Sequence, residues 1–309
     1  SVCLRKNCRV GNNFRSEFYP SRKSERGKVI PVESMAIVCG LASALAWGAG
    51  DFAGGLASRR GSALTVVFFA QLIGGTLLFV LAMLFSRSLP PVAHLLSGGL
   101  AGVFGVLGLI FLYKGLAQGR MGLVAPLSAV VTALVPLSFS ILLEGFPGLP
   151  RIIGFAIAMA AVWLLSSPGG HLKIERRELK LSLLAGLGFG LFFIFLDHAS
   201  SQAILWPLVT ARAAAIGTMF VLLAARRQLT KPPRSQFLAI ALAGILDTTG
   251  NAFFAMASHV GRLDIAAILA SLYPASTVML AWLVFQERLG RQQWIGVAAA
   301  GGALILIAI

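Results

Sequence analysis

Residues 261–290 read GRLDIAAILASLYPASTVMLAWLVFQERLG, and residues 119–145 read GRMGLVAPLSAVVTALVPLSFSILLEG. Each stretch begins with Gly-Arg, continues as an apolar segment with internal proline, and has a glutamate near its end. One more apolar stretch follows each of them. Because the same signals recur in the same order in both stretches, they indicate an internal duplication of the chain rather than chance similarity between apolar helices.

The composition indicates a membrane protein. Of the 309 residues, 57% are hydrophobic and 12% are charged, whereas a soluble domain has about 25% charged residues. The net charge of +15 lies in short runs between apolar blocks, so we interpret it as loop charge that orients the chain in a lipid bilayer. This pattern argues against a nucleic-acid partner.

The apolar blocks predict an all-α integral membrane protein. A transmembrane helix needs about 20 mostly apolar residues, and Pro, Gly and charged residues separate the blocks. We predict ten transmembrane helices, at about 35–57, 62–86, 93–117, 121–143, 150–167, 180–199, 204–225, 236–258, 262–285 and 290–309.

The polar segment HLKIERRELK divides these spans five and five. We predict a first five-helix repeat at 35–168, a linker at 169–179 and a second repeat at 180–309. Five spans per half is an odd number, so the second repeat enters the membrane from the opposite side, as in the inverted repeats of secondary transporters. Residues 1–34 carry eight Lys/Arg and no long apolar run, and we interpret them as a basic leader that is disordered or not native.

The chain resembles the drug/metabolite transporter superfamily, EamA type, over residues 35–309. The resemblance lies in LAWGAGDF (45–52), in LSAVV…LLEG (127–145), in ASLYPASTVMLAWLVFQERL (270–289) and in WIGVAAAGGALIL (294–306). It implies two inverted five-helix repeats around a central cavity. It also implies export or exchange of small metabolites or drug-like solutes by alternating access, in a multi-pass protein expected in a bacterial inner membrane.

The chain departs from the family pattern at two places. Family members usually carry Arg near the start of the second and seventh spans; Arg212 fits the seventh, but Gln71 occupies the second. Asp51 stands near the place of the family's usual Asn, after an extra glycine.

Charged residues inside predicted spans are the main site candidates. Asp247 lies near the centre of 236–258, where an Asp costs about 2.5–3.5 kcal/mol on insertion scales, and Asn251 shares its helix face at i+4. Arg212 is a natural counter-ion for Asp247 or for an anionic substrate, and Asp51 lies among glycines. We predict that these four residues bind substrate or a proton. The alternatives are a buried polar bond between helices for Asp247, a snorkelling Arg212 and an interfacial Asp51.

Further candidates come from the same spans. We place Gln71, Tyr113, Lys114 and Tyr273 on the solute pathway, although snorkelling also explains Lys114. Proline frees a backbone carbonyl and kinks a membrane helix, so Pro126, Pro136 and Pro274 are predicted kinks that line the cavity or serve packing. Glu144 and Glu287 are predicted helix-end or gating residues.

The sequence offers no catalytic residue, no metal ligand and no cofactor motif. The expected partners are a small-molecule solute, protons and lipid, with the protein a monomer or homodimer. Two other classes stay open. A membrane scaffold or sensor would carry no solute, and an intramembrane enzyme would need a nucleophile and base, which the adjacent Ser258-His259 cannot form on one helix face.

Overall fold

A computed structural model describes residues 32–58, 62–86, 89–118, 121–166, 176–227, 231–273 and 291–308, with 275–276, 280 and 283 between the last two. Within these residues the chain is helical and contains no strand. The predicted leader up to residue 31, most of the predicted linker, Pro274 and Glu287 lie outside the described residues.

The helices follow the predicted blocks closely, because charges, prolines and glycines end each apolar run. In chain order they are α1 Val32–Ser58, α2 Ala63–Phe85, α3 Val92–Gln118, α4 Met121–Glu144, α5 Leu149–Ser166, α6 Arg176–Ala199, α7 Leu205–Ala225, α8 Phe237–Val260, α9 Leu263–Ala270 and α10 Arg291–Ala308, with a 3₁₀ turn at Arg234–Gln236 before α8.

Helix α9 differs most from its prediction. The expected span was 262–285, but the helix ends at Ala270, and Ser271 and Leu272 form a turn. The proline at 274 has no N–H to donate to the carbonyl four residues earlier, which is that of Ala270. The chain continues through a bond from Ala275 N to the Leu272 carbonyl oxygen (2.9 Å). The sequence therefore contained the signal for this interruption.

Six of the described helices are long and apolar enough to cross a membrane: α1, α2, α3, α6, α7 and α8. Helices α4 and α5 contain shorter apolar stretches, Ser128–Leu143 and Ile152–Ala161. The count of ten spans stays a prediction.

The main contacts between helices occur in pairs. Each contact has a counterpart between the helices that lie five places away in the chain, so that α1 corresponds to α6, α2 to α7, and so on. Helix α1 packs on α8 and α3 packs on α6; α4 packs on α6 and α9 on α1; α3 packs on α7 and α2 on α8. The remaining main contacts, α2 with α7, α4 with α9 and α5 with α10, map onto themselves. The helices of the first half therefore pack mainly on those of the second half, with a two-fold pattern.

Glycines on α3 bring it close to α6 and α7. A Cβ added at Gly98 would collide with the carbonyl oxygen of Pro207, and one at Gly102 with that of Ala211. One at Gly108 would lie 2.9 Å from the Phe189 ring. Small residues allow such close approach between membrane helices, and here they position α7, which carries Arg212.

This contact predicts a contrast between two glycines on one helix. Gly102→Ala forces a methyl group against the Ala211 backbone and should destabilise the protein by about 1–3 kcal/mol, the usual cost of overpacking. Gly99→Ala is the matched control, because nothing lies within 4 Å of its added Cβ. Apparent melting temperatures in detergent measure both; a Gly102→Ala protein that melts with the wild type would contradict the close contact.

Candidate functional site

A cavity of about 150 Å³ lies between the helices. Since one buried water needs roughly 10–15 Å³ on this scale, the cavity holds on the order of ten waters or one small organic molecule. Side chains of α1 to α4 and α6 to α8 line it, together with Tyr273 just after α9. Among the described residues, its polar wall is formed by Asp51, Gln71, Thr132, Arg212, Asp247, Asn251 and Tyr273.

Arg212 and Asp247 form an ion pair at this cavity. Arg212 Nη1 lies 2.5 Å from Asp247 Oδ2, and the same nitrogen donates to Oε1 of Gln71. The Arg212 side chain is only 6% exposed, whereas that of Asp247 is 39% exposed. The guanidinium is therefore enclosed between α2 and α8, and the carboxylate faces the open space.

Two nitrogen atoms of Arg212, Nε and Nη2, have no hydrogen-bond partner among the described residues. Both are closed off from solvent. A buried guanidinium is stable only when it is paired, because its desolvation costs several kcal/mol. Among the described residues, the contacts of Nη1 with Asp247 and Gln71 therefore offset the cost of burying this charge.

Trp47 connects α1 to the part of α8 that carries Asp247. Its Nε1 donates to Asn251 Oδ1 (3.0 Å) and to the backbone carbonyl oxygen of Asp247 (3.2 Å). Its ring stacks on Phe193 at a centroid distance of 5.6 Å and an interplanar angle of 5°. Asn251 is buried and shares a helix face with Asp247, so its side chain orients Trp47 beside the ion pair.

Asp51 lies on α1 one turn after Trp47 and is exposed. No described residue forms a hydrogen bond or ion pair with its carboxylate. Gly48 and Gly50 lie within the turn between Trp47 and Asp51 and let α1 approach the neighbouring chain segments closely. An added Cβ at Gly50 would lie 3.2 Å from the backbone nitrogen of Asp247. The two acidic residues thus enter the cavity from adjacent helices.

The structure brings six of the eight predicted pathway residues to one cavity: Asp51, Gln71, Arg212, Asp247, Asn251 and Tyr273. The side chains of Tyr113 and Lys114 lie outside the described residues, as do those of Pro126 and Glu144. Pro136 is buried in α4 and is not among the residues that line the cavity.

Sequence reasoning missed the aromatic wall. Trp47, Phe189, Phe192 and Phe193 line the cavity, but none was predicted as a site residue. For Trp47 a signal existed, because it precedes Asp51 by four residues and so shares its helix face. The three phenylalanines lie in an apolar run of α6 where every face looks alike.

These features define a multi-pass helical protein with a charged cavity between its two halves. Comparison with family models identifies the class further: the EamA-like transporter family matches residues 34–167 and again 177–309. The chain belongs to the EamA-like transporter family, whose members are membrane transporters rather than enzymes, of the drug/metabolite transporter type. It is accordingly an integral membrane protein in contact with lipid and with a small-molecule solute.

Solved structures share the fold. One crystal structure superposes with a TM-score of 0.77 over 89% of this chain and 98% of its own, at 15% sequence identity. At that identity the likeness shows the fold alone. Comparison with curated proteins found no match.

The ion pair predicts an asymmetric double-mutant cycle. Asp247→Asn leaves the enclosed guanidinium without its counter-charge, while Arg212→Gln leaves a carboxylate that is already partly exposed. We expect Asp247→Asn to cost more stability, up to about 3 kcal/mol because a fully buried pair costs about 3–5. The double variant should recover part of that loss.

Unfolding of the four proteins in detergent measures the cycle. Additive losses would show that Arg212 and Asp247 are not energetically coupled.

Proposed function

We propose that the protein is a secondary transporter that exports or exchanges small metabolites or drug-like solutes by alternating access. Its ten helices form two inverted five-helix repeats, 35–168 and 180–309, joined by the linker 169–179. One observation carries the proposal: the Arg212–Asp247 ion pair lies at a cavity lined by helices of both halves. Charges at membrane depth normally face such a solute pathway.

The two-fold contact pattern supports the inverted arrangement. Each main contact of a helix in one half has its counterpart five helices away. The cavity lies between the halves, so a small rotation of one half against the other would open it toward either end. Inverted repeats with a central site are a recurrent construction for such rocking.

Two contacts join the halves at one end of the bundle. Arg262, just before α9, binds Asp264 through Nε (3.1 Å) and Nη2 (3.0 Å), and its Nη2 donates to the carbonyl oxygen of Gly145, just after α4 (3.3 Å). We call this group of three residues the Arg262 bridge. At the same end His94 Nδ1 lies 3.1 Å from the His198 carbonyl oxygen, with the two rings stacked.

That end can be assigned from the helix packing. The start of α1 meets the end of α8, where a Cβ at Gly261 would lie 2.5 Å from that of Ala36. Asp51, by contrast, lies seven residues before the end of α1, or about 10 Å along the helix. The bridge thus joins the halves at one end, and Asp51 lies toward the other.

Within this proposal the protein works in a bacterial inner membrane, as a monomer or homodimer. Protons are the coupling ion and Asp247 carries them, because its carboxylate is partly exposed and its neutralisation would release Arg212. Protonation would then change the charge of the pair that joins α7 to α8.

Transport is tested by metabolite profiling of cells and medium at two external pH values. Cells that express the full chain should export at least one solute in a pH-dependent way. Asp247→Asn at matched expression should lower that export by about tenfold or more, since a hydrogen bond to a charged group contributes about 1.5–3 kcal/mol.

Thr249→Val is the control, because the Thr249 hydroxyl bonds to the Ile245 carbonyl of its own helix and does not line the cavity. Media that do not differ between expressing and empty cells would argue against transport.

The Arg262 bridge is tested with the buried Cys39, which lies in α1 near the bridge end. The Cys3→Ser/Cys8→Ser background leaves Cys39 as the one cysteine of the sequence. Because Cys39 is buried, we expect it to react slowly with a maleimide. Asp264→Asn removes the negative charge that pairs with Arg262 but keeps an oxygen for the Ile265 N–H (2.8 Å). It should accelerate labelling about tenfold, the effect of losing a charged hydrogen bond.

Lys180→Gln, an exposed change at the far end of α6, serves as the control for this labelling. An unchanged rate in Asp264→Asn would exclude the bridge as a gate.

A further inference from the structure

The described cavity wall carries an unbalanced charge. Two carboxylates, those of Asp51 and Asp247, face one guanidinium, that of Arg212. Since Arg212 is paired with Asp247 and Gln71 is neutral, one negative charge is left over. That charge belongs to Asp51, which has no ion pair among the described residues. A bound solute with one positive charge would neutralise the wall.

The exposure of the charged atoms also favours a positively charged solute. Asp51 is exposed and Asp247 is 39% exposed, so both carboxylates can be reached from the cavity. Arg212 is 6% exposed, and its two unpartnered nitrogen atoms are closed off from solvent. An anionic group would have to displace Asp247 before it reached Arg212. A cation can reach Asp51 directly.

Aromatic side chains line the same cavity as Asp51. Trp47 is on the same face of α1, one turn earlier, and Phe189, Phe192 and Tyr273 line the same cavity. The face of an aromatic ring attracts a cation within about 6 Å of its centroid. The same rings also bury apolar carbon, so the site combines one carboxylate with a surface for an organic cation.

We propose that the cavity binds a small organic ammonium cation that carries an aromatic or other apolar group, with Asp51 as its anchor. The inference rests on the proposed transport function and names its solute class. The ammonium group lies against Asp51 and the neighbouring rings, and the apolar part packs on Phe189 and Phe192. Asp247 is held by Arg212 and has the lesser part in binding the solute.

A zwitterion such as an amino acid fits less well. Its ammonium group would satisfy Asp51, but its carboxylate would enter a cavity where the one cation of the described wall, Arg212, is enclosed and already paired. The sum of the charges would also stay negative. The proposal therefore separates amines from amino acids of the same size.

Four probes with one phenyl ring and different charges test the proposal. They are 2-phenylethylamine (cation), phenylalanine (zwitterion), 3-phenylpropionate (anion) and 2-phenylethanol (neutral). Isothermal calorimetry on the full chain in lipid nanodiscs should show the amine binding at least about tenfold more tightly than the other three.

Asp51→Asn should weaken the amine by about 10- to 100-fold, the effect of losing a hydrogen bond to a charged group. Asp51→Glu keeps the charge and should keep most of the affinity. Equal melting temperatures establish that both variants are folded.

Three results would overturn the inference. The alcohol could bind as well as the amine; phenylalanine could bind more tightly and lose affinity in Arg212→Gln; or the folded protein could bind no amine saturably. Flux of labelled 2-phenylethylamine in proteoliposomes separates this inference from the proposed function. Saturable Asp51-dependent binding without flux would overturn transport and leave the ammonium site standing.

Discussion

The enclosed guanidinium of Arg212 is the constraint on which the arrangement of the cavity depends. In lipid or in a tight helix interface an unpaired Arg is costly, so α7 must lie where partners from other helices can reach this side chain. Asp247 on α8 supplies the counter-charge and Gln71 on α2 supplies a carbonyl oxygen. One side chain therefore requires three helices to meet at a common depth.

Small residues make that meeting sterically possible. Gly244 lies one turn before Asp247, and a Cβ there would collide with the carbonyl oxygen of Ala70, next to Gln71. An added Cβ at Gly74 would lie 2.8 Å from the carbonyl oxygen of Gly244. The two helices that hold the partners of Arg212 therefore touch backbone to backbone. Gln71 suits this position because its side-chain carbonyl oxygen accepts a hydrogen bond from Arg212.

Much of this could be predicted from the sequence, because membrane helices and buried charges leave strong signals. The blocks between charged and proline-rich breaks predicted where the described helices begin and end, and Pro274 marked the interruption of α9. Asp247, Arg212 and Asp51 were found because a charge in an apolar run needs a reason.

The identity of the aromatic wall could not be predicted. The middle of helix α6 is apolar on every side, so its pattern does not say that Phe189, Phe192 and Phe193 face a cavity rather than lipid. The relative importance of the two acidic residues was equally hidden. Depth in the span pointed to Asp247, but only the fold shows that Arg212 pairs with it.

The ends of the bundle complete the physical picture. The Arg262 bridge and the His94–His198 contact both join the two halves at the end where α1 begins, and Asp51 lies toward the opposite end. In the proposed mechanism, contacts at one end hold the halves together while the charged wall is approached from the other. A solute that neutralises Asp51 would remove the excess negative charge between α1 and α8. The free energy of that neutralisation is then available to favour the state in which the bundle opens at the end of the Arg262 bridge.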